Sequence, residues 1–125
     1  MGIIPGAGGT VLLPRLIGEA KAKELILMGR VVSGEEAERL NLVHIAVEND
    51  VLMSTAEEWA AKLCTRSRRS LEAAKLSIEN GISGLHYQDA TAFEERTWCN
   101  LFNYPDQKEG MRAFLEKRKP EFTHQ

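Results

Sequence analysis

Helical periodicity runs through most of this 125-residue chain and predicts a mostly α fold. Three observations carry the prediction. Apolar residues recur at three- and four-residue spacing in successive segments. Glycine, asparagine and proline stand where those segments should stop. A single stretch, residues 42–47, has the character of a strand.

The elements follow in chain order. Gly2, Pro5, Gly6, Gly8 and Gly9 crowd the first ten residues. Glycine is entropically costly in regular structure, so this stretch predicts a tight turn leading into a helix at Thr10. Val11, Leu12, Leu13, Leu16 and Ile17 are its apolar residues, and Pro14 and Gly18 are expected to limit it. From Glu19, Ala22, Leu25 and Ile26 share one face, and Gly29 supplies a left-handed C-terminal cap. Ser33 followed by Glu36 is a capping box, so the next helix should start at Gly34 and end at Asn41. Leu42 to Val47 is the predicted strand, and Asp50 is expected to cap the helix after it. Leu52, Ala56, Trp59, Ala60 and Leu63 keep helical spacing over Val51 to Thr65. Leu71, Ala74 and Ile78 repeat it, with Gly81 closing that segment. A longer helix is expected from about Leu85 to Phe102, broken by Tyr104 and Pro105. Asp106 with Glu109 repeats the cap-and-glutamate spacing and opens a last helix through Lys117, and Pro120 follows its end.

Bulk composition excludes more than it assigns. A formal charge of −2 and a pI near 5.9 give a nucleic-acid partner no global support. Arg66, Arg68 and Arg69, and again Lys117, Arg118 and Lys119, read as solvated helix ends. Cys64 and Cys99 lack CxxC spacing and fit a reducing compartment. His44, His86 and His124 are scattered, with no pair at the spacing that puts two ligands on one helix face, so no metal site is expected. The opening residues lack a charged n-region and an apolar h-region, and no apolar run approaches the roughly 20 residues that span a bilayer. A soluble, cytoplasmic protein is expected, with the mitochondrial matrix as the eukaryotic alternative. Glu94 and Glu95, or Glu35 and Glu36, are neighbours in sequence and diverge on a helix, so neither pair reads as an acid/base couple.

Three segments read together add a resemblance. The first is Ile4-Pro5-Gly6-Ala7-Gly8-Gly9-Thr10 with Leu13-Pro14-Arg15-Leu16-Ile17-Gly18. The second is Ala22-Lys23-Glu24-Leu25-Ile26-Leu27-Met28-Gly29-Arg30, with Glu36-Ala37 and Leu42-Val43. The third runs from Asp106-Gln107-Lys108-Glu109-Gly110 through Phe114-Leu115-Glu116-Lys117 to Pro120. In order and spacing, these resemble the C-terminal part of the enoyl-CoA hydratase/isomerase (crotonase) family. Val11, where a glutamine is common, and Asn41, where a glycine is usual, are the main departures.

The resemblance implies a fold and a chemistry. Residues 1–49 would be the end of the family's ββα spiral core, and residues 50–125 its C-terminal helical oligomerisation segment. The family's hydratases add water across the double bond of a 2-enoyl-CoA thioester, with two glutamates moving protons and two backbone N–H groups stabilising the enolate. All four groups belong to positions upstream of Met1, so no catalytic side chain is expected here and the chain alone should be inactive. The backbone of Gly6 matches a position that helps to hold the catalytic water, while Gly6, Gly8 and Gly9 could equally serve only the turn. Phe114 and Lys117 match an aromatic and a basic residue that reach the adenine and ribose phosphate of a neighbouring subunit's CoA, against core packing and helix-end complementation as the plainer roles. Acyl-CoA as substrate and a homo-oligomer, a trimer or dimer of trimers, are implied as partners. A non-catalytic CoA-binding or oligomerisation module is the alternative function.

Overall fold

The structure, a computed structural model, describes residues 2–84 and 86–124. Among these, seven helices form: α1 (Gly9–Ile17), α2 (Glu19–Met28), α3 (Gly34–Arg39), α4 (Leu52–Cys64), α5 (Arg68–Ile82), α6 (Tyr87–Leu101) and α7 (Pro105–Leu115). The chain divides into two compact units, Met1–Met53 and Ser54–Gln125, with α4 running across the boundary.

In the first unit α1 packs on α2. Ala22 and Leu25 on α2 and Ala37 on α3 are its buried apolar residues. Two of the three are alanines, which let helices approach closely, and Leu25 is the one larger apolar side chain among them. Arg30 ties α2 to α3, its guanidinium meeting Glu24 and, at 2.8 Å, Glu36. The Glu36 amide donates to Ser33 Oγ at 3.2 Å, and α3 starts at Gly34 as the capping spacing predicts. The Glu36 carboxylate turns to Arg30 rather than back to the Ser33 amide, because the charged partner offers the stronger bond. Gly29 and Asn41 both adopt left-handed backbone, φ 61° and 57°, at the two predicted stops.

Four expectations need correction. Residues 42–47 form no strand; no strand occurs among the described residues. An extended segment becomes a strand only when a neighbour takes its backbone groups, and here α3 takes them. The Leu42 amide donates to Ala37 O at 2.8 Å and the Ala46 amide to Glu38 Oε2 at 2.8 Å. Pro14 lies inside α1 rather than limiting it, so the Thr10 carbonyl loses its intrahelical donor while the short helix continues to Gly18. Gly81 is likewise interior to α5, which ends one residue later with Ser83 as its cap and Gly84 at φ 90°. Asp106 is not the cap of α7: Tyr104 holds that position in extended backbone, Pro105 is the first helical residue, and the helix ends at Leu115. The predicted start of the sixth helix at Leu85 lies outside the described residues, and α6 runs from Tyr87.

In the second unit α5 packs against α6. Trp98 and Phe102 meet edge-on at 4.7 Å between centroids, and Arg69 lies over the Tyr104 ring at 5.0 Å. Among the described residues of this unit, Ala113 is the buried apolar one. No helix among the described residues is long and apolar enough to cross a membrane.

Candidate functional site

The glycine loop ahead of α1 is shaped by two residues in left-handed backbone, Ala7 at φ 51° and Gly8 at φ 82°. Gly9 N–H donates to Gly6 O at 2.9 Å, and Val11 and Leu12 donate to Gly8 O at 2.9 and 2.8 Å, which starts the helix. A Cβ at Gly8 would lie 3.2 Å from Leu12 Cδ1, so both conformation and space require glycine there. Gly6 differs. Its φ is not left-handed and a Cβ would meet nothing within 4 Å. The turn therefore accounts for Gly8 and leaves the absent side chain of Gly6 unexplained by the chain's own packing. Among the described residues no acceptor takes the Gly6 N–H.

The second feature lies at the end of α7. Phe114 is 80% exposed, which removes core packing within this chain as its role. Lys117 follows the helix in left-handed backbone, φ 53°, a conformation that costs a residue other than glycine roughly 1–2 kcal/mol. Arg118 N–H closes the helix end on Ala113 O at 3.0 Å, and Lys117 N–H on Phe114 O at 3.3 Å. The Lys117 ammonium meets no carboxylate among the described residues.

Around that turn the C-terminal tail is strapped back onto α7 by two carboxylates whose spacing predicted a capping role. Glu109 accepts two parallel bonds from Arg118, 2.6 and 3.0 Å, and one from the Glu121 amide at 2.9 Å. The Arg118 guanidinium and the Glu121 amide hold the Glu109 carboxyl down at about 2, and Glu109 with Glu116 raises Arg118. Asp106, 2% exposed, accepts from the Thr123 amide at 2.7 Å, the Thr123 hydroxyl at 3.0 Å and the His124 amide at 3.3 Å. Burial pushes the Asp106 carboxyl up, but the bonds from Thr123, Ser67 and His124 outweigh it and leave it below the usual range. Ser67, itself buried, links the α5 start to the same carboxylate. The tail partners lie 9 to 18 residues from the carboxylates that hold them, beyond the reach of any local spacing rule.

Of the basic clusters, Arg68 and Arg69 pair with Glu72 at 2.8 and 3.4 Å, and Arg118 with Glu109 and Glu116. These are helix-surface and tail contacts rather than an open cationic patch. Among the described residues no three His, Cys, Asp or Glu side chains are grouped to hold a metal ion.

The sequence pattern of the enoyl-CoA hydratase/isomerase family matches residues 1–125. The chain belongs to that family. A probable enoyl-CoA hydratase of Rhizobium meliloti is 42% identical over 124 residues, covering 99% of this chain and 48% of the relative. A probable mitochondrial enoyl-CoA hydratase of Dictyostelium discoideum is 41% identical over 120 residues, covering 96% of this chain and 43% of its own length. The crystal structure of an enoyl-CoA hydratase from Bacillus anthracis superimposes with a TM-score of 0.93 at 39% identity, over 99% of this chain and 48% of that one. This enoyl-CoA hydratase/isomerase chain thus spans about half the length of the curated relatives it matches.

Proposed function

We propose that this chain is the C-terminal half of an enoyl-CoA hydratase protomer, which adds water across the α,β double bond of a 2-enoyl-CoA thioester. In this reading two glutamates and two oxyanion-hole amides are supplied by sequence that the chain does not contain. The hydration needs a base to take the water proton as oxygen attacks Cβ, an acid to return a proton to Cα, and donors for the enolate oxygen between them. This chain contributes at two places. The Gly6 N–H holds the attacking water, which a side chain at that position would crowd. Phe114 covers the adenine and Lys117 meets the ribose phosphate of an acyl-CoA bound by a neighbouring protomer, in a trimer or dimer of trimers. The ligand is the acyl-CoA substrate, with no further cofactor, and the compartment is the cytoplasm, or the mitochondrial matrix in a eukaryote.

The observation that carries the reading is the pairing of an exposed aromatic, Phe114, with Lys117 three residues on, a cation in costly backbone that meets no carboxylate among the described residues. Co-expression with the half of the Rhizobium relative that this chain does not span tests it. The isolated chain should leave the conjugated-thioester absorbance of crotonyl-CoA unchanged, and the reconstituted pair should bleach it. Turnover by the purified chain alone, or a stable pair without turnover, would overturn the assignment.

A non-catalytic module that joins full-length subunits is the second reading, and it accounts for the exposed surface as the first does. The chain exposes 10221 Å², whereas two independent compact units of these sizes would together expose about 8,100 Å². Co-elution with an intact relative, without any gain when its missing half is supplied, would select this second reading.

A further inference from the structure

Lys117 occupies the position where a helix ordinarily ends in glycine. A lysine kept there is strained, and strain of this kind persists only where the surroundings over-determine the conformation. The surroundings do so from one side. Arg118, the next residue, is held by the Glu109 carboxylate through both of its terminal nitrogens and by Glu116 through Nε at 2.6 Å. Its Nη1 also donates to the Lys119 carbonyl at 3.0 Å. Farther along, Glu109 takes the Glu121 amide and Asp106 takes the Thr123 amide and hydroxyl and the His124 amide. Between those anchors the Phe122 ring lies over Gly110, where a Cβ would sit 3.6 Å from its edge. Residues 118–124 are thereby bound back onto the helix from which they came, and the turn at Lys117 reverses the chain to bring them there.

We infer that Asp106 and Glu109 are positioning residues for Lys117: by strapping the tail against α7 they hold the left-handed turn from which its ammonium reaches the ribose phosphate of an acyl-CoA. The inference rests on the proposed contact of Lys117 with that phosphate. Neither carboxylate touches the ligand, and both act through the backbone that follows the lysine. The sign of the charge makes the role testable. Removing the Glu109 carboxylate raises the local positive charge, so electrostatics alone would strengthen phosphate binding. Loss of positioning would weaken it.

The test uses the 125-residue chain reconstituted with the half of the Rhizobium relative that it does not span, with adenosine 3′,5′-bisphosphate as probe and adenosine 5′-monophosphate as the control lacking the 3′-phosphate. Dissociation constants come from calorimetry, and amide hydrogen exchange at residues 117 and 118 reports the turn. Glu109→Gln should speed exchange there and weaken the bisphosphate about fivefold, as a competent turn populated one-fifth of the time requires. It should leave the monophosphate nearly unaffected. Lys117→Ala should cost about tenfold for the bisphosphate while the preceding turn stays protected, since a charge-assisted bond is removed without the strap. Asp106→Asn serves as the second variant, expected to behave like Glu109→Gln. Faster exchange in Glu109→Gln with equal or tighter bisphosphate binding would overturn the positioning role. Unchanged exchange would overturn the strap itself. A bisphosphate that binds Lys117→Ala as well as the natural chain, or binds neither, would remove the proposed phosphate contact and the inference with it.

Discussion

Gly6 and Gly8 separate conformational need from ligand space at the level of one residue. Gly8→Ala places a Cβ in left-handed backbone and against Leu12, and should cost about 1–2 kcal/mol, read as a lower denaturant midpoint. Gly6→Ala has ordinary backbone and open space, so its stability should stay within about 0.5 kcal/mol of the natural chain. In the reconstituted hydratase the order should reverse for kcat, with Gly6→Ala the more damaging if the position holds water. Both glycines sit in one run of sequence, and nothing in that run distinguishes them. The distinction comes from a dihedral angle and from Leu12 lying a turn ahead.

The tail of α7 shows how an element acquires partners that local spacing misassigns. Asp106 and Glu109 have the three-residue separation of a capping box, yet Tyr104 and Pro105 already start the helix and both carboxylates reach the tail. Asp106→Ala leaves the Thr123 amide and hydroxyl without an acceptor in a buried setting and should destabilise the second unit by about 1–3 kcal/mol, measured by chemical denaturation. The Glu109 carboxyl is depressed from an ordinary 4.5 to about 2. A folded-state value below the unfolded one means the contribution is complete above about pH 4.5 and disappears as pH falls from there through about 2. Exchange at the Glu121 amide should therefore remain protected at pH 6 and become unprotected in acid well before α5 and α6 lose theirs. Concerted loss over the whole chain would count against a separable strap.

At the scale of the whole molecule, the apolar surface left uncovered is the main fact. Trp59 and Leu63 on α4, Leu76, Ile78 and Ile82 on α5, and Tyr87 and Trp98 on α6 are all more than two-fifths exposed. Apolar side chains left exposed in this number favour association in water. The excess over two independent compact units, about 2,100 Å² on one chain, is more than one partner contributes to a standard interface and falls in the range of obligate ones. Sedimentation should show mass rising with concentration, and reconstitution with the missing half should convert this to one defined oligomer. A monomeric boundary maintained at the highest attainable concentration would contradict the expectation.

The sequence by itself determined the helices, most of their stops and the family, because each depends on groups close along the chain. Gly29 and Asn41 at helix ends and Ser33 capping Glu36 are interactions within about four residues. The order of the three motif segments likewise needs no coordinates. Tertiary structure alone decided where residues 42–47 send their hydrogen bonds, and it sends them to α3 rather than to a strand. It also decided that Phe114 faces outward, that Asp106 binds a residue 17 positions away, and that Lys117 stands in left-handed backbone. The physical reason is common to all of these. A polar group or an apolar ring settles with whatever the fold brings beside it, and spacing along the chain describes only the neighbours that are already near.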